Sequence, residues 1–283
     1  MIARVYLVGA GPGNPELLTL KALRILQQAD LVLHDDLVPP SILNLASPHA
    51  RIVNVGKRCG RKSISQAEIN ARLIAAAHQG LTVARLKGGD PSFFGRCGEE
   101  IEALREANVD FEIIPGVTAA AAAAATAGFS LTHREVASSV IFLTGHRAVR
   151  DTGRKGPQAS LAALGASGDL AGKTVVIYMP GPRYASVSAE LEAAGVRGDT
   201  PCVLISAAST RAQRIHKKTV QELATVPPLA APSILIVGEV TRLAHGQGHP
   251  EFEFVLSALP ASGIMRRDRD HEPADQFHSP HRT

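Results

Sequence analysis

Short apolar runs alternate with amphipathic stretches along most of this 283-residue chain. Val5–Val8, Leu31–His34, Arg51–Val55, Leu81–Leu86 and Phe111–Ile114 are brief and mostly bounded by turn-forming residues, which predicts buried strands. Glu16–Gln28, Gln66–Gln79 and Cys97–Ala107 carry apolar residues at helical spacing. Ser65, with Glu68 three positions on, predicts a capping box at the start of the second of these helices. Strands alternating with helices imply a largely parallel sheet covered by helices.

Pro115-Gly116 closes that series and a second begins. Val117–Ala127 holds seven successive alanines, Ala119–Ala125, and so predicts a helix with little bulk that packs very close to its neighbours. Further strands are predicted at Ser139–Leu143, Thr174–Met179, Cys202–Ser206 and Ile234–Val237, with a helix at Ala185–Ala194. The expected organisation is an α/β domain over 1–115, a second α/β domain over 116–250 and a tail over 251–283. From about Pro260 the tail is charged and nearly free of apolar residues, which predicts disorder. Arg147–Lys173, rich in Gly, Arg, Lys and Ala, reads as a mobile loop with one short helix.

The length allows one large or two ordinary domains. No Trp and a 4% aromatic share argue against a base-stacking, RNA-binding surface. A net charge of +4 favours anionic partners without separating polyanions from a small multi-carboxylate substrate. Cys59, Cys97 and Cys202 are an odd, widely spaced set, against both a disulfide framework and a zinc site. His271, His278 and His281 also lack metal-like spacing, so no metal is expected. With no signal peptide and no apolar run near 18 residues, the expected home is the cytosol.

Chemistry concentrates where strands end. After the strand through Leu86 come Gly88-Gly89-Asp90-Pro91, then Arg96 and Glu99 where a helix should begin. Such a run is either a binding crevice at a strand end or a tight strand-to-helix turn with a solvated acid. The first glycine cluster, Gly9-Ala10-Gly11-Pro12-Gly13-Asn14, invites a dinucleotide reading. That reading fails, because Asn14 stands where the third glycine belongs, and no Gly-Lys-Ser/Thr makes a phosphate loop. Met179 by itself reads as core filler, His133 and His146 as structural. Arg96 and Arg134 suit either a carboxylate clamp or a surface ion pair.

Taken in order, these motifs are similar to those of the tetrapyrrole methylases. The likeness runs through Gly9–Ala22, Gly88–Glu100, Pro115–Ala119, Leu131-Thr132-His133-Arg134 and Phe142–His146. It continues in Tyr178-Met179, Ala208 through Gln213-Arg214, and Val237–Val240, spanning residues 4–244. Within the family, Gly88–Glu100 and Leu131–Arg134 most resemble members that C-methylate uroporphyrinogen III. The resemblance implies an α/β fold of two αβα domains with S-adenosylmethionine bound in the cleft between them, in a homodimer. It implies methylation at C2 and C7 to precorrin-2 through precorrin-1, feeding siroheme, cobalamin or haem d1 synthesis. It assigns cofactor contact to Pro12, Gly88, Gly89, Asp90, Phe93, Thr118, Ala119, Met179, Ala208 and Ser233. Arg96, Glu99 and Arg134 are then the catalytic set, the arginines anchoring carboxylates and Glu99 handling the proton. Cys97 departs from the pattern, standing where the family has glycine.

Overall fold

In the computed structural model the residues described are 4–56, 64–145 and 172–245. The expected tail, nearly all of the Arg147–Lys173 loop, and Cys59 and His146 lie outside them. Among the described residues ten strands form two five-stranded sheets. The first contains β1 (Val5–Gly9), β2 (Leu31–His34), β3 (Arg51–Asn54), β4 (Val83–Lys87) and β5 (Phe111–Ile114), in the order β3-β2-β4-β1-β5. Every pairing in it is parallel. Its helices are α1 (Leu20–Gln28), α2 (Pro40–Leu43), α3 (Gln66–His78) and α4 (Cys97–Glu106). Side chains alternate across the strands, as the pleat requires. Val5, Leu7, Leu33 and Val83 pack with Ile69 and Leu73 of α3 and Leu104 of α4. Val8, Val32, Ala84, Leu86 and Ile114 pack with Ala22, Ile25 and Leu26 of α1.

Local sequence explains the boundaries. Ser65 and Glu68 form the reciprocal capping box, each meeting the other's backbone N–H. The predicted helix Glu16–Gln28 instead divides into a 3-10 turn at Pro15–Leu17 and α1, because Thr19 takes extended backbone and accepts the Ala22 N–H.

The second sheet contains β6 (Ser139–Thr144), β7 (Lys173–Tyr178), β8 (Pro201–Ser206), β9 (Arg214–Thr219) and β10 (Ser233–Val237), ordered β6-β7-β10-β8-β9. It is mixed. β6 and β7 are parallel, whereas β10 runs antiparallel to β7 and β8, and β9 to β8. The edge strand β9 was not among the expected elements, because Arg-Ile-His-Lys-Lys-Thr has too few apolar positions to register as a strand. Charged side chains are how an edge strand discourages further pairing.

One face of this sheet, through Val176, Val203, Ile205 and Ile236, packs on α5 (Ala119–Thr126). The other, through Val175, Ile177, Leu204 and Leu235, packs on α6 (Tyr184–Ala193). Ala120, Ala123 and Ala124 are the residues that bring α5 against its sheet, which is the use the alanine run predicted. Cys202 sits in the α6-side core, where burial pushes its thiol up to about 12. Burial likewise raises Cys97 at the start of α4. Neither is a reactive thiolate.

Candidate active site

Parallel pairing sends the C-terminal ends of β1, β4 and β5 to the same edge of the first sheet. The loops beyond them interlock through main chain. Gly11 N–H donates to Gly89 O at 3.1 Å, and Gly89 N–H to Gly11 O at 2.7 Å. A Cβ on Gly9 would lie 2.6 Å from Gly116 N and 2.8 Å from Gly89 O, so three backbones meet where only glycine fits. Asp90 fastens this junction. It is buried, accepting Ser92 N–H at 2.8 Å through Oδ1 and Gly116 N–H at 3.0 Å through Oδ2. Its carboxylate therefore shapes the cradle first, by tying the loop after β4 to the one after β5.

The second sheet presents a matching edge. β7 and β8 share a direction because each is antiparallel to β10. Met179 and Ala208, just beyond their ends, thus lie beside Ser233 at the start of β10, which pairs with Ser206. Gln213 holds the loop after β8 by accepting Ser209 N–H at 2.7 Å. The buried Ser209 Oγ has no hydrogen-bond partner among the described residues.

The two edges meet. Phe93 lies edge-on to Phe142 of β6 with centroids 5.2 Å apart, and Phe94 leans on Tyr178 at 5.0 Å. Thr118 Oγ1 hydrogen-bonds the Tyr178 hydroxyl. Burial, helped by the Asp90 charge, raises the Tyr178 pKa, so the phenol is protonated at neutral pH. Gly13, beside the half-buried Pro12, reaches the second half, since a Cβ there would come 3.0 Å from Thr210 Cγ2. Pro12, Gly88, Gly89, Asp90, Phe93, Thr118, Ala119, Met179, Ala208 and Ser233 are all in the loops, strand starts and helix start around this meeting.

Strain marks the same place. Among the described residues six non-glycines have positive φ, and five of them are Phe94, Arg96, Met179, Ala207 and Ser209. A bulky residue in left-handed backbone costs of order 1–3 kcal/mol and persists where its surroundings enforce it. Met179 is also 43% exposed, so it is not the core filler that its strand alone suggests.

Arg96 caps the start of α4 and chelates Glu99, with Nε on Oε1 at 2.8 Å and Nη2 on Oε2 at 2.6 Å. Both side chains are about half exposed, at 44% and 49%. Arg134 is exposed on the turn between His133 and Ala137, on the segment that leads into β6. That turn precedes the N-terminal end of β6, whereas Phe142 and Tyr178 lie toward the C-terminal ends of β6 and β7, so Arg134 is not among the residues brought together at the aromatic contact.

Sequence reasoning missed Phe94, Tyr178 and Gln213, and it missed a buried charge cluster. Arg85 and Lys87 of β4 both reach Glu100 of α4, at 2.9 and 2.8 Å, and Arg85 also reaches Asp35 at 2.5 Å. The available signal was two cations at alternate positions in a run otherwise read as apolar.

Two α/β sheets thus meet at glycine turns and an aromatic contact. The family model for tetrapyrrole (corrin/porphyrin) methylases matches residues 4–224, and the chain belongs to that family. It is 45% identical over 254 residues to a uroporphyrinogen-III C-methyltransferase of Paracoccus denitrificans, covering 88% of this chain and 85% of that protein. A uroporphyrin-III C-methyltransferase of Thermus thermophilus, solved with S-adenosylhomocysteine, superposes with a TM-score of 0.71 at 38% identity, covering 85% of this chain and 99% of that one. The siroheme synthase of Tolumonas auensis is 45% identical over 244 residues and 85% of this chain, which spans only 50% of its length.

Proposed function

We propose that this chain transfers methyl groups from S-adenosylmethionine to C2 and C7 of uroporphyrinogen III, giving precorrin-2 by way of precorrin-1. The observation that carries the reading is the meeting of a glycine cradle with Met179 and an aromatic group, flanked by the Arg96–Glu99 pair. The residues present fit the methyl donor. Gly88 and Gly89 place main chain without side chains at the strand end, and a Cβ on Gly89 would meet nothing nearer than 3.7 Å, which leaves room for a flat adenine. Met179, Phe93 and Phe94 offer soft and aromatic surface to a sulfonium cation. Thr118 and Ala119 open α5, whose positive end suits the donor's carboxylate. Pro12, Asp90, Ala208 and Ser233 complete the holding set. When bound, S-adenosylmethionine supplies an electrophilic methyl group whose departing thioether needs no proton.

The remaining work falls to the chain. Arg96 and Arg134 anchor carboxylates of the macrocycle, each charge-assisted bond contributing about 1.5–3 kcal/mol. Glu99 Oε accepts the proton lost as the ring system rearranges, and Arg96, a poor base, orients it. An exposed ion pair adds about 0–1 kcal/mol to folding, so the worth of Arg96–Glu99 lies in what it presents to substrate. The packed rings of Phe93, Phe94, Phe142 and Tyr178 keep water from the reacting carbon.

The same reading makes the protein a cytosolic homodimer whose product feeds siroheme, cobalamin or haem d1 synthesis, with neither nucleic acid nor membrane as partner. Among the described residues no helix is long and apolar enough to cross a membrane. Anaerobic incubation with uroporphyrinogen III and methyl-labelled donor, followed by mass analysis, tests the activity. Two labels per macrocycle are expected, and a product without label would overturn the proposal.

A further inference from the structure

The buried cluster of Arg85, Lys87 and Glu100 has no part in the chemistry above, yet it lies directly beneath the residues that do. Glu100 is fully buried, and Arg85 and Lys87 nearly so. Each Glu100 oxygen takes one cation, Oε1 the Arg85 Nε and Oε2 the Lys87 Nζ. Arg85 spans on to Asp35 beyond β2, and Gln66 Nε2 of α3 adds a longer bond to Glu100 Oε1 at 3.3 Å. Two cations and two carboxylates balance.

Burying such a set does not repay itself in stability, since well-packed apolar residues of similar volume do as well or better. Burial, with the neighbouring Arg85 charge, holds the Lys87 pKa below its ordinary value, which reflects the cost of keeping the amine there. What the cluster grips is the first turn of α4. The Lys87 side chain passes under the loop before that helix, so that a Cβ on Gly95 would come 3.1 Å from Lys87 Cε. Asn70 Nδ2 of α3 donates to the Glu99 carbonyl at 3.2 Å, a second hold on the same turn. Consecutive helix residues differ by roughly 100° about the axis. Fixing Glu100 inward therefore fixes the direction in which Glu99 leaves the helix. Phe94 and Arg96, with φ of 54° and 56°, lie between this hold and the Asp90 junction.

We propose that Glu100, clamped by Lys87 and Arg85, is a positioning residue that sets the rotation and height of α4 and so aims the Arg96–Glu99 pair at the macrocycle. The inference rests on the role given above to Arg96 and Glu99. It separates the two ligands, because the Gly89 turn has its own anchors in Gly11 and Asp90. A displacement of about 1 Å at a reacting group is enough to cost about 100-fold in rate.

The test is a double-mutant cycle on the full chain. Glu100→Gln keeps size and shape while removing the charge that holds both cations. It should lower kcat/KM for uroporphyrinogen III by 10-fold or more, with calorimetric affinity for S-adenosylhomocysteine within twofold of the parent. In a Glu99→Gln background the same change should cost less than threefold, because the aimed group is already disabled. Equal losses in the two backgrounds, or parallel losses of both ligands, would mean a merely structural role and overturn the inference. If Glu100→Gln does not fold, Lys87→Met leaves Arg85 on Glu100 and carries the same cycle. Should Arg96→Ala and Glu99→Gln themselves leave turnover unchanged, the catalytic reading fails instead, an outcome distinct from failure of the clamp alone.

Discussion

The two sheet edges that meet at the site are built by opposite means. On the first, side chains are absent: Gly9, Gly89 and Gly116 bring main chain against main chain, and Asp90 pins the junction through two backbone N–H groups. On the second, side chains are present and the backbone is bent to present them. Met179, Ala207 and Ser209 all hold left-handed φ, at 51°, 47° and 62°. At Gly9 and Gly116 the first edge is a close-packed cradle that tolerates no added atom, and its left-handed non-glycines, Phe94 and Arg96, stand beyond the cradle. The second stores strain in exchange for displaying a thioether and a loop. Rigidity and display are divided between them, and substitutions should respond accordingly.

The largest effect is expected from adding one carbon to the cradle. In Gly116→Ala the new Cβ meets the Gly89 carbonyl and Gly9 Cα, both backbone, with no flexible side chain able to yield. Overpacking of this kind costs about 1–3 kcal/mol, and here the turn that must shift is the one proposed to hold the methyl donor. Denaturant unfolding should show a loss at the top of that range, and calorimetry an affinity for S-adenosylhomocysteine lower by about 100-fold. Parent-like values for both would show that the three-backbone contact is looser than drawn, and the contrast between the edges would fall.

A pair of substitutions sharpens the division between donor and macrocycle. Arg134→Ala should weaken uroporphyrinogen III by about 10–100-fold, or about 1.4–2.8 kcal/mol, and spare the donor. Asp90→Ala should do the reverse, because it frees the Gly116 and Ser92 N–H groups and lets the cradle open. Equal losses of both ligands in either variant would contradict the assignment.

The same contrast explains how much was legible in the sequence. Glycine and proline punctuate a chain, so the first edge announces itself: Gly88-Gly89-Asp90 and Pro115-Gly116 lie where strands were predicted to end, and they do. The strands of the parallel sheet fell within two residues of prediction, because a strand buried on both faces is a continuous apolar run. The second edge leaves no such mark. Left-handed backbone at Met179 or Ala207 is imposed by tertiary context, and nothing in Tyr-Met-Pro or Ser-Ala-Ala-Ser betrays it. β9 escaped because its pairing to β8 is main-chain bonding under a charged surface. The Arg85–Lys87–Glu100 cluster escaped because a charged residue at a strand position is read as solvated until its partners, thirteen or fifteen positions away, fold over it.

Met179→Gly gives the smallest change in stability and the sharpest test of the comparison. Glycine adopts φ near +51° at no steric cost, so the substitution relieves strain of about 1–2 kcal/mol. Against this stands the extra backbone entropy that glycine brings to the unfolded chain, about 0.5–1 kcal/mol. The packing lost is modest because Met179 is 43% exposed. The two terms nearly cancel, and the unfolding free energy should move by less than about 1 kcal/mol. Donor affinity should nonetheless fall by about 10-fold, since the thioether surface is gone. Function would then be lost where stability is kept, the reverse of a cradle mutant such as Gly116→Ala, in which the two go together. A large drop in unfolding free energy would instead make Met179 part of the packed core, and the strained backbone at this edge would have a structural cause rather than a displaying one.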